Sequence, residues 1–430
     1  MATQTALAMS PESDGQNWDG EVRYVARQPI LNLQARVHGY ELLFRNPSQA
    51  VSRNERDMAT QTMLDNAVIF GLDRFTNGLP AFVNCTVEAL TGQLVNVLAP
   101  GATVLTIPSS LEPRPKLLDA CLDLKKQGFR FAFDDFTAKA KLLPVVQLAD
   151  YLRVDFTRCD RAERQYLGRT HGGSIALVAR KVDTPEDYRQ ACAEGFSLFQ
   201  GDYFCHPVLL KKRKVPTSRL FHFEIVQHLL RDPIDIPKIS KLVMRDASLT
   251  FRLLRLVNSP VCAIQQEVRS VEAAILVVGE EAFRRMVSLA VLSELNADRP
   301  PEILHMALVR ARFCEQAATL FFLDRAEQYL LGLLSLVPAM LCLPMEELIP
   351  TLPLRDRICE ALQGTMNSDR HLLTWLEFHE RGDWESCDAI VQASRASKAC
   401  PVCEHLSPER LIQAYAEAVY WAQAALSSAT

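Results

Sequence analysis

From Arg23 to about Pro207, short apolar runs alternate with stretches of helical periodicity. The runs Tyr24–Ala26, Ala81–Cys85, Thr103–Ile107, Arg130–Asp134, Tyr151–Asp155, Ile175–Ala179 and Leu198–Gln200 have the length and residue types of strands. Between them Arg56–Phe70, Pro115–Gln127 and Pro185–Glu194 read as amphipathic helices. The last is opened by Thr184-Pro185, with Glu186 and Asp187 in its first turn. Repeated alternation predicts parallel strands joined by helical crossovers, and about seven or eight such units in so short a stretch predict a compact barrel. An open doubly wound sheet is the competing arrangement. No Gly-rich phosphate loop follows the first strand, which disfavours a dinucleotide fold.

The pattern changes at the basic run Lys211-Lys212-Arg213-Lys214, which Pro216 and Ser218 follow. Strand-like runs vanish and helical stripes take over. Ile239, Leu242 and Val243 form one stripe; Leu249, Leu253, Leu256 and Val257 form another, ended by Asn258-Ser259-Pro260. Ser270 is placed to cap a helix carrying Val271, Ala274, Ile275 and Val278, with Gly279 as its stop. Phe283, Met286, Val287, Ala290 and Val291 continue the stripe, and a last amphipathic helix is expected from Pro408 to about Ala425. Tyr329–Leu343 is the most apolar segment; it is shorter than a bilayer span and Pro338 interrupts it, so a buried helix pair is expected. The predicted fold class is α/β followed by all-α. Its parts are a disordered polar tail over 1–20, a barrel over 21–210, a basic linker over 211–218 and a helical domain over 219–430.

The 430 residues call for more than one core, and a net charge of −4 gives no general electrostatic reason to bind nucleic acid or an anionic membrane. The run Lys211–Lys214 is a candidate for phosphate contact, with a solvated linker as its expected role. Residues 1–20 hold no Lys, Arg or long apolar run, so neither a signal peptide nor a membrane anchor is expected there. Twelve scattered cysteines fit a reduced, cytoplasmic protein. Cys400-Pro401-Val402-Cys403, with His405 nearby, has metal-like spacing, but no second pair completes a zinc site and none is expected.

The chemistry centres on Phe131-Ala132-Phe133-Asp134-Asp135-Phe136. Two adjacent carboxylates repel by roughly 4 kcal/mol at about 4 Å when the effective dielectric is near 20, so a cation is expected beside them. One reading places them at the C-terminal end of a buried strand, where α/β proteins keep their ligand sites. The other makes them the N-cap of a helix starting over Thr137–Ala140.

Other candidate strand ends carry Glu41 and Arg45 in Tyr40-Glu41-Leu42-Leu43-Phe44-Arg45, Asn84 in Phe82-Val83-Asn84, and Gln200 in Phe199-Gln200-Gly201. With these residues the chain resembles the EAL family, barrel phosphodiesterases that linearise cyclic di-GMP. Arg27-Gln28-Pro29-Ile30 looks like the family's opening Gln-Pro motif, and Glu41-Leu42-Leu43-Phe44-Arg45 fits its Glu-x-Leu-x-Arg signature. Asp134-Asp135-Phe136 matches its Asp-Asp-Phe, and Gln200-Gly201-Asp202-Tyr203-Phe204-Cys205-His206-Pro207 resembles its Gln-Gly-x-x-Phe-x-x-Pro. The resemblance spans about Arg23 to Pro207 and implies a TIM-like barrel. It implies metal-ligand positions at Glu41, Asn84, Asp134 and Asp135, and base- or phosphate-holding positions at Gln28, Leu43, Arg45, Asp134, Gln200 and Pro207.

Departures from the family pattern change the expected activity. Thr106-Ile107-Pro108-Ser109 stands where the family has Glu-x-x-Glu, Arg153-Val154-Asp155 where it has Lys-x-Asp, and Ala179-Arg180-Lys181-Val182-Asp183-Thr184 where it has Ala-Glu-Gly-Val-Glu-Thr. An arginine does not act as a general base at ordinary pH. Three carboxylates remain while Arg153 and Arg180 are gained, so guanidinium is expected to replace metal, with catalysis lost at Thr106, Arg153 and Arg180. Whether the mouth still binds cyclic di-GMP or only holds a degenerate barrel together stays open. The alternative is an active phosphodiesterase using Mg or Mn; otherwise no cofactor is expected.

The second half resembles the HDOD family, a helical relative of HD-type phosphohydrolases. The likeness lies in Arg245–Ser259, Ala273–Gly279, Leu308–Glu315, Leu331–Leu334 and Glu380-Arg381-Gly382-Asp383-Trp384. None of the nine histidines is followed by Asp, as metal-binding HD enzymes require. His305, His371 and His379 are expected to pack or sit at the surface, and His222 and His228 to be surface groups. The resemblance implies a bacterial signalling protein, a degenerate EAL barrel joined to an HDOD domain that docks an unidentified protein.

Overall fold

Eight strands close into a barrel in chain order: β1 (Tyr24–Asn32), β2 (Val37–Arg45), β3 (Ala81–Asn84), β4 (Thr103–Pro108), β5 (Arg130–Asp134), β6 (Tyr151–Asp155), β7 (Ala176–Arg180) and β8 (Leu198–Phe199). The computed structural model describes residues 24–45, 75–92, 94–205, 217–229, 235–258, 268–297, 299–396 and 407–429. The expected tail over 1–20, the helix over Arg56–Phe70, the run Lys211–Lys214, Pro207, Cys400 and Cys403 lie outside the described residues.

From β2 to β8 the strands run parallel, whereas β1 is antiparallel to both its neighbours, β2 and β8. The expected first strand, Tyr24–Ala26, is thus the start of a nine-residue strand that turns back into β2. The Asn32 side-chain oxygen accepts from the backbone N–H groups of Gln34 and Arg36 at 3.0 Å and pins that turn. β2 escapes a hydrophobicity scan because Gly39 and Glu41 occupy its inward positions.

The barrel interior is filled by Ile30, Phe82, Val104, Ala132, Tyr151, Val178 and Leu198, one from each strand except β2. Burying a side chain such as Val178 or Leu198 stabilises by about 1.5–3 kcal/mol. Crossover helices Pro115–Lys126 and Pro185–Ala193 follow the expected amphipathic pattern, and Arg161–His171 adds a third. The last begins with a capping box: the Thr184 hydroxyl accepts from Asp187 N at 3.1 Å, and the Asp187 carboxylate accepts from Thr184 N at 3.2 Å.

The described structure divides into a barrel unit, Glu21–His206 with Thr374–Glu417, and a helical unit containing Pro207–Leu373 and Ala418–Thr430. The sequence reading has one helical domain over 219–430, and the structure groups Thr374–Glu417 with the barrel. The reason lies in one aromatic cluster. His379 is wholly buried, its ring meets those of Trp375, Trp384 and Tyr415, and its Nε2 donates to Val25 O of β1 at 3.0 Å. Helical periodicity shows that a face is buried, without showing which core it joins. The helix Thr217–Leu229 begins within the stretch 211–218 read as a linker.

In the helical unit, Ile236–Val243 and Ala247–Val257 bury the expected stripes. Ser270 caps Val271–Val278, its hydroxyl accepting from Ala273 N at 3.1 Å, and Gly279 ends that helix at φ +79°. His222 is buried and lies 2.9 Å from an Asp246 carboxylate oxygen, so it is not the expected surface group. Asp246 caps the next helix, and the pair ties two helices together. Arg325–Leu334 and Val337–Leu341 form the expected buried helix pair. Among the described residues no single helix is long and apolar enough to cross a membrane. The bent pair Arg325–Leu341 and Met345–Thr351, at 106°, meets the criterion by length and composition only. Cys85, Cys121, Cys159, Cys192, Cys342 and Cys359 carry free thiols.

Candidate functional site

Side chains alternate along a strand, so the residue two positions nearer the C-terminal mouth faces the same interior. One step above the apolar layer, every strand contributes a polar group there. These are Gln28, Glu41, Asn84, Thr106, Asp134, Arg153, Arg180 and, just after β8, Gln200. β1 reaches the mouth with its N-terminal half because it runs against the others, and it sets Gln28 opposite Glu41.

Arg153 is the centre of this layer and is fully buried, as is Glu41 at 1 % exposure. Arg153 Nη2 donates to Glu41 Oε2 at 2.5 Å and to Gln200 Oε1 at 3.0 Å, and its Nε lies 3.5 Å from Asp134 Oδ1. Gln200 Nε2 donates to the same Glu41 oxygen at 2.6 Å and to Gln28 Oε1 at 2.8 Å. Arg180 Nη1 donates to Asp134 Oδ1 at 2.7 Å and to Asp135 Oδ1 at 3.3 Å. Asn84 reaches Glu41 only weakly, at 3.4 Å. On the rim Lys181 pairs with Asp155 at 2.8 Å, and Arg158 lies 3.8 Å from both Asp135 and Asp155.

Two guanidiniums therefore face three carboxylates, and the carboxylates are not equivalent. Burial opposes ionisation of Glu41, yet Arg153, Arg180 and the Arg153 and Gln200 hydrogen bonds hold it at about 2. Burial raises Asp134 above its ordinary value. Arg153 and Arg180 pull it down, but it shares them with Glu41 and Asp135, whose like charges push it up. Asp135 sits in the left-handed region at φ +48° and Lys181 at φ +55°, so the rim holds two strained non-glycine residues. Asp134 and Asp135 cap no helix: a turn follows them, held by Ser109, whose hydroxyl donates to Asp135 O at 2.7 Å and whose N–H donates to Asp134 O at 2.9 Å. Among the described residues no group of three or more His, Cys, Asp or Glu side chains is arranged to hold a metal ion. Arg153 Nη1 and Thr106 Oγ1 are buried without a hydrogen-bond partner among the described residues.

The structure brings Gln28, Leu43, Asp134 and Gln200 to one mouth; Pro207 and the Arg45 side chain lie outside what it describes. Sequence reasoning missed a further participant. Gln28 Nε2 donates to Glu380 O at 3.1 Å, Arg381 Nε donates to Asp202 Oδ2 at 3.0 Å, and Gly382 lies against Leu43. The only signal was Gly382 in Glu380-Arg381-Gly382-Asp383-Trp384, which fixes a left-handed turn at φ +71° without naming its partner.

The HDOD domain family matches residues 215–347. The uncharacterized protein YuxH of Bacillus subtilis is 30 % identical over 410 residues, covering 93 % of this chain and 97 % of that protein. The cyclic di-GMP phosphodiesterase CdgJ of Vibrio cholerae is 31 % identical over 376 residues, covering 85 % and 86 %. Among solved structures, the manganese and cyclic di-GMP complex of Klebsiella pneumoniae BlrP1 at pH 6 aligns with a TM-score of 0.36 and 20 % identity, over 43 % of this chain and 56 % of that one. That likeness is too slight to add to what the barrel's own topology gives. Identity sustained along most of YuxH and CdgJ, joined to the HDOD match and a barrel with EAL motif residues at its mouth, shows that the chain belongs to the EAL–HDOD family of two-domain proteins.

Proposed function

We propose that this protein is a non-hydrolytic signalling or scaffold protein of the bacterial cytoplasm, whose barrel binds cyclic di-GMP without cleaving it and whose HDOD region docks another protein. The observation that carries the reading is Arg153, buried between Glu41 and Asp134. Hydrolysis by two divalent ions needs carboxylate oxygens free to coordinate them and a base to activate water. Here both Glu41 Oε2 and Asp134 Oδ1 accept from guanidinium groups, so the residues present do not fit a metal pair, and no hydrolytic step is derived from them. Ligand binding is supported by Arg153 Nη1: a buried donor without an acceptor costs about 1–3 kcal/mol, and a phosphate oxygen offers one.

An active Mg- or Mn-dependent phosphodiesterase is the second reading, favoured by the activity in the name of the relative CdgJ. Incubation of the purified chain with cyclic di-GMP and either metal separates them. No linear product, together with heat of binding in a titration, is the expected result. Turnover that Glu41→Ala abolishes establishes the second reading instead.

A further inference from the structure

The C-terminal end of the helix Ser368–Arg381 lies on the mouth of the barrel within the same unit. Its anchor is His379, seated in its aromatic cluster and bonded to Val25 O. Beyond the anchor, the turn Glu380–Gly382 touches three parts of the rim: Gln28 of β1, Leu43 of β2, and Asp202 after β8. We propose that this turn is an internal plug, which holds the Gln28–Leu43 side of the mouth in place of ligand and leaves when cyclic di-GMP enters. The inference rests on the reading that the barrel takes this nucleotide.

Mutual exclusion follows from the contacts. The turn takes one of the two Gln28 Nε2 donors through Glu380 O while the Gln28 oxygen accepts from Gln200 Nε2, so a base at this edge competes with the turn for that amide. Leu43 is covered so closely that a Cβ at Gly382 would stand 2.6 Å from Leu43 Cδ1, leaving no room for a ring against that side chain. The hold is weak enough to be displaced. Glu380 O belongs to the last turn of its helix, where carbonyls are readily satisfied by water, and the Arg381–Asp202 pair has side chains 57 % and 38 % exposed. Apparent affinity is the intrinsic affinity multiplied by the fraction of open molecules, so loosening the turn strengthens binding with no new ligand contact.

Calorimetric titration of the full chain with cyclic di-GMP tests this. Gly382→Val drives the turn off Leu43 and is expected to bind at least about tenfold tighter than the unaltered chain; Arg381→Ala, which removes only a surface pair, about twofold to fivefold tighter. A lock guards against misfolding of the valine variant. The Cβ built at Gly382 is 3.7 Å from Leu43 Cβ, inside the span of about 3.5–4.5 Å that a disulfide requires. Oxidised Leu43→Cys/Gly382→Cys is expected to bind more weakly than its own dithiothreitol-reduced form, with the Leu43→Cys single variant under the same oxidant and reductant as control for the lost leucine contact and for native cysteines. Equal affinity across all forms, oxidised and reduced, overturns the plug and leaves the nucleotide reading standing. Absence of binding in every form overturns the nucleotide reading, and the plug with it.

Discussion

Replacing Arg153 by methionine keeps much of the side-chain volume and removes the charge on which Glu41 depends. In the native barrel Glu41 is held from an ordinary 4.5 down to about 2. A carboxyl so displaced contributes about 3 kcal/mol, at about 1.4 kcal/mol for each pH unit between the two values. Its folded value is depressed, so this stability is full above about pH 4.5 and is lost as pH falls toward about 2. Leaving a buried carboxylate unpaired costs about 3–5 kcal/mol. In Arg153→Met the sign reverses: burial then dominates and lifts Glu41 above its unfolded value, so the variant gains stability on acidification. Pulse proteolysis in urea at about pH 7 and about pH 5, scored on barrel peptides, measures both effects. Expected are a loss of about 3 kcal/mol at neutral pH, partial recovery at the lower pH, and a much smaller loss when Glu41→Leu accompanies Arg153→Met. A single variant that loses under about 1 kcal/mol, or that has the wild-type pH slope, refutes the claim that arginine replaces metal as the partner of Glu41.

Burial holds His379 at about 3, and Val25 O, which favours the protonated ring, does not offset it. The folded protein therefore keeps the neutral ring, and stability is full above about pH 6.5 and falls as pH drops toward about 3, by at most about 1.4 kcal/mol per pH unit. His379→Phe should flatten the urea midpoint between about pH 7 and pH 5, and an unchanged slope would show that another group titrates. Gly201→Ala tests the close approach that sets Gln200, since a Cβ there would stand 2.2 Å from Val182 O. Gln200 O accepts from Val182 N at 3.0 Å, so neither strand end can retreat without breaking that bond. A loss of about 1–3 kcal/mol in thermal unfolding is expected, as for other overpacked sites.

Local pattern was enough to locate six of the strands, because Ala81–Asn84, Thr103–Pro108 and the runs after them are apolar on both faces. It located the helix starts at Thr184 and Ser270 for the same kind of reason, since a capping side chain acts within three residues of itself. The resemblance to EAL motifs gathered Gln28, Glu41, Asn84, Asp134, Arg153, Arg180 and Gln200 into one candidate set, and a barrel delivers every strand end to a single rim. What it left undecided depended on contacts between residues far apart in the chain. The antiparallel entry of β1 is stabilised by pairing with Phe199, beyond the reach of a window scanned along Tyr24–Asn32. Arg153 turned first to Glu41, 112 residues away, because a fully buried guanidinium takes the acceptors its cavity offers, and Gln200 completes that pocket. The turn at Gly382 was visible as a glycine, but its seat on Leu43 exists only because the barrel core and the aromatic cluster at His379 set a helix end there. Sequence determined which groups face inward, through side-chain alternation and capping; tertiary structure alone decided which charges meet, because ion pairing depends on distance in space.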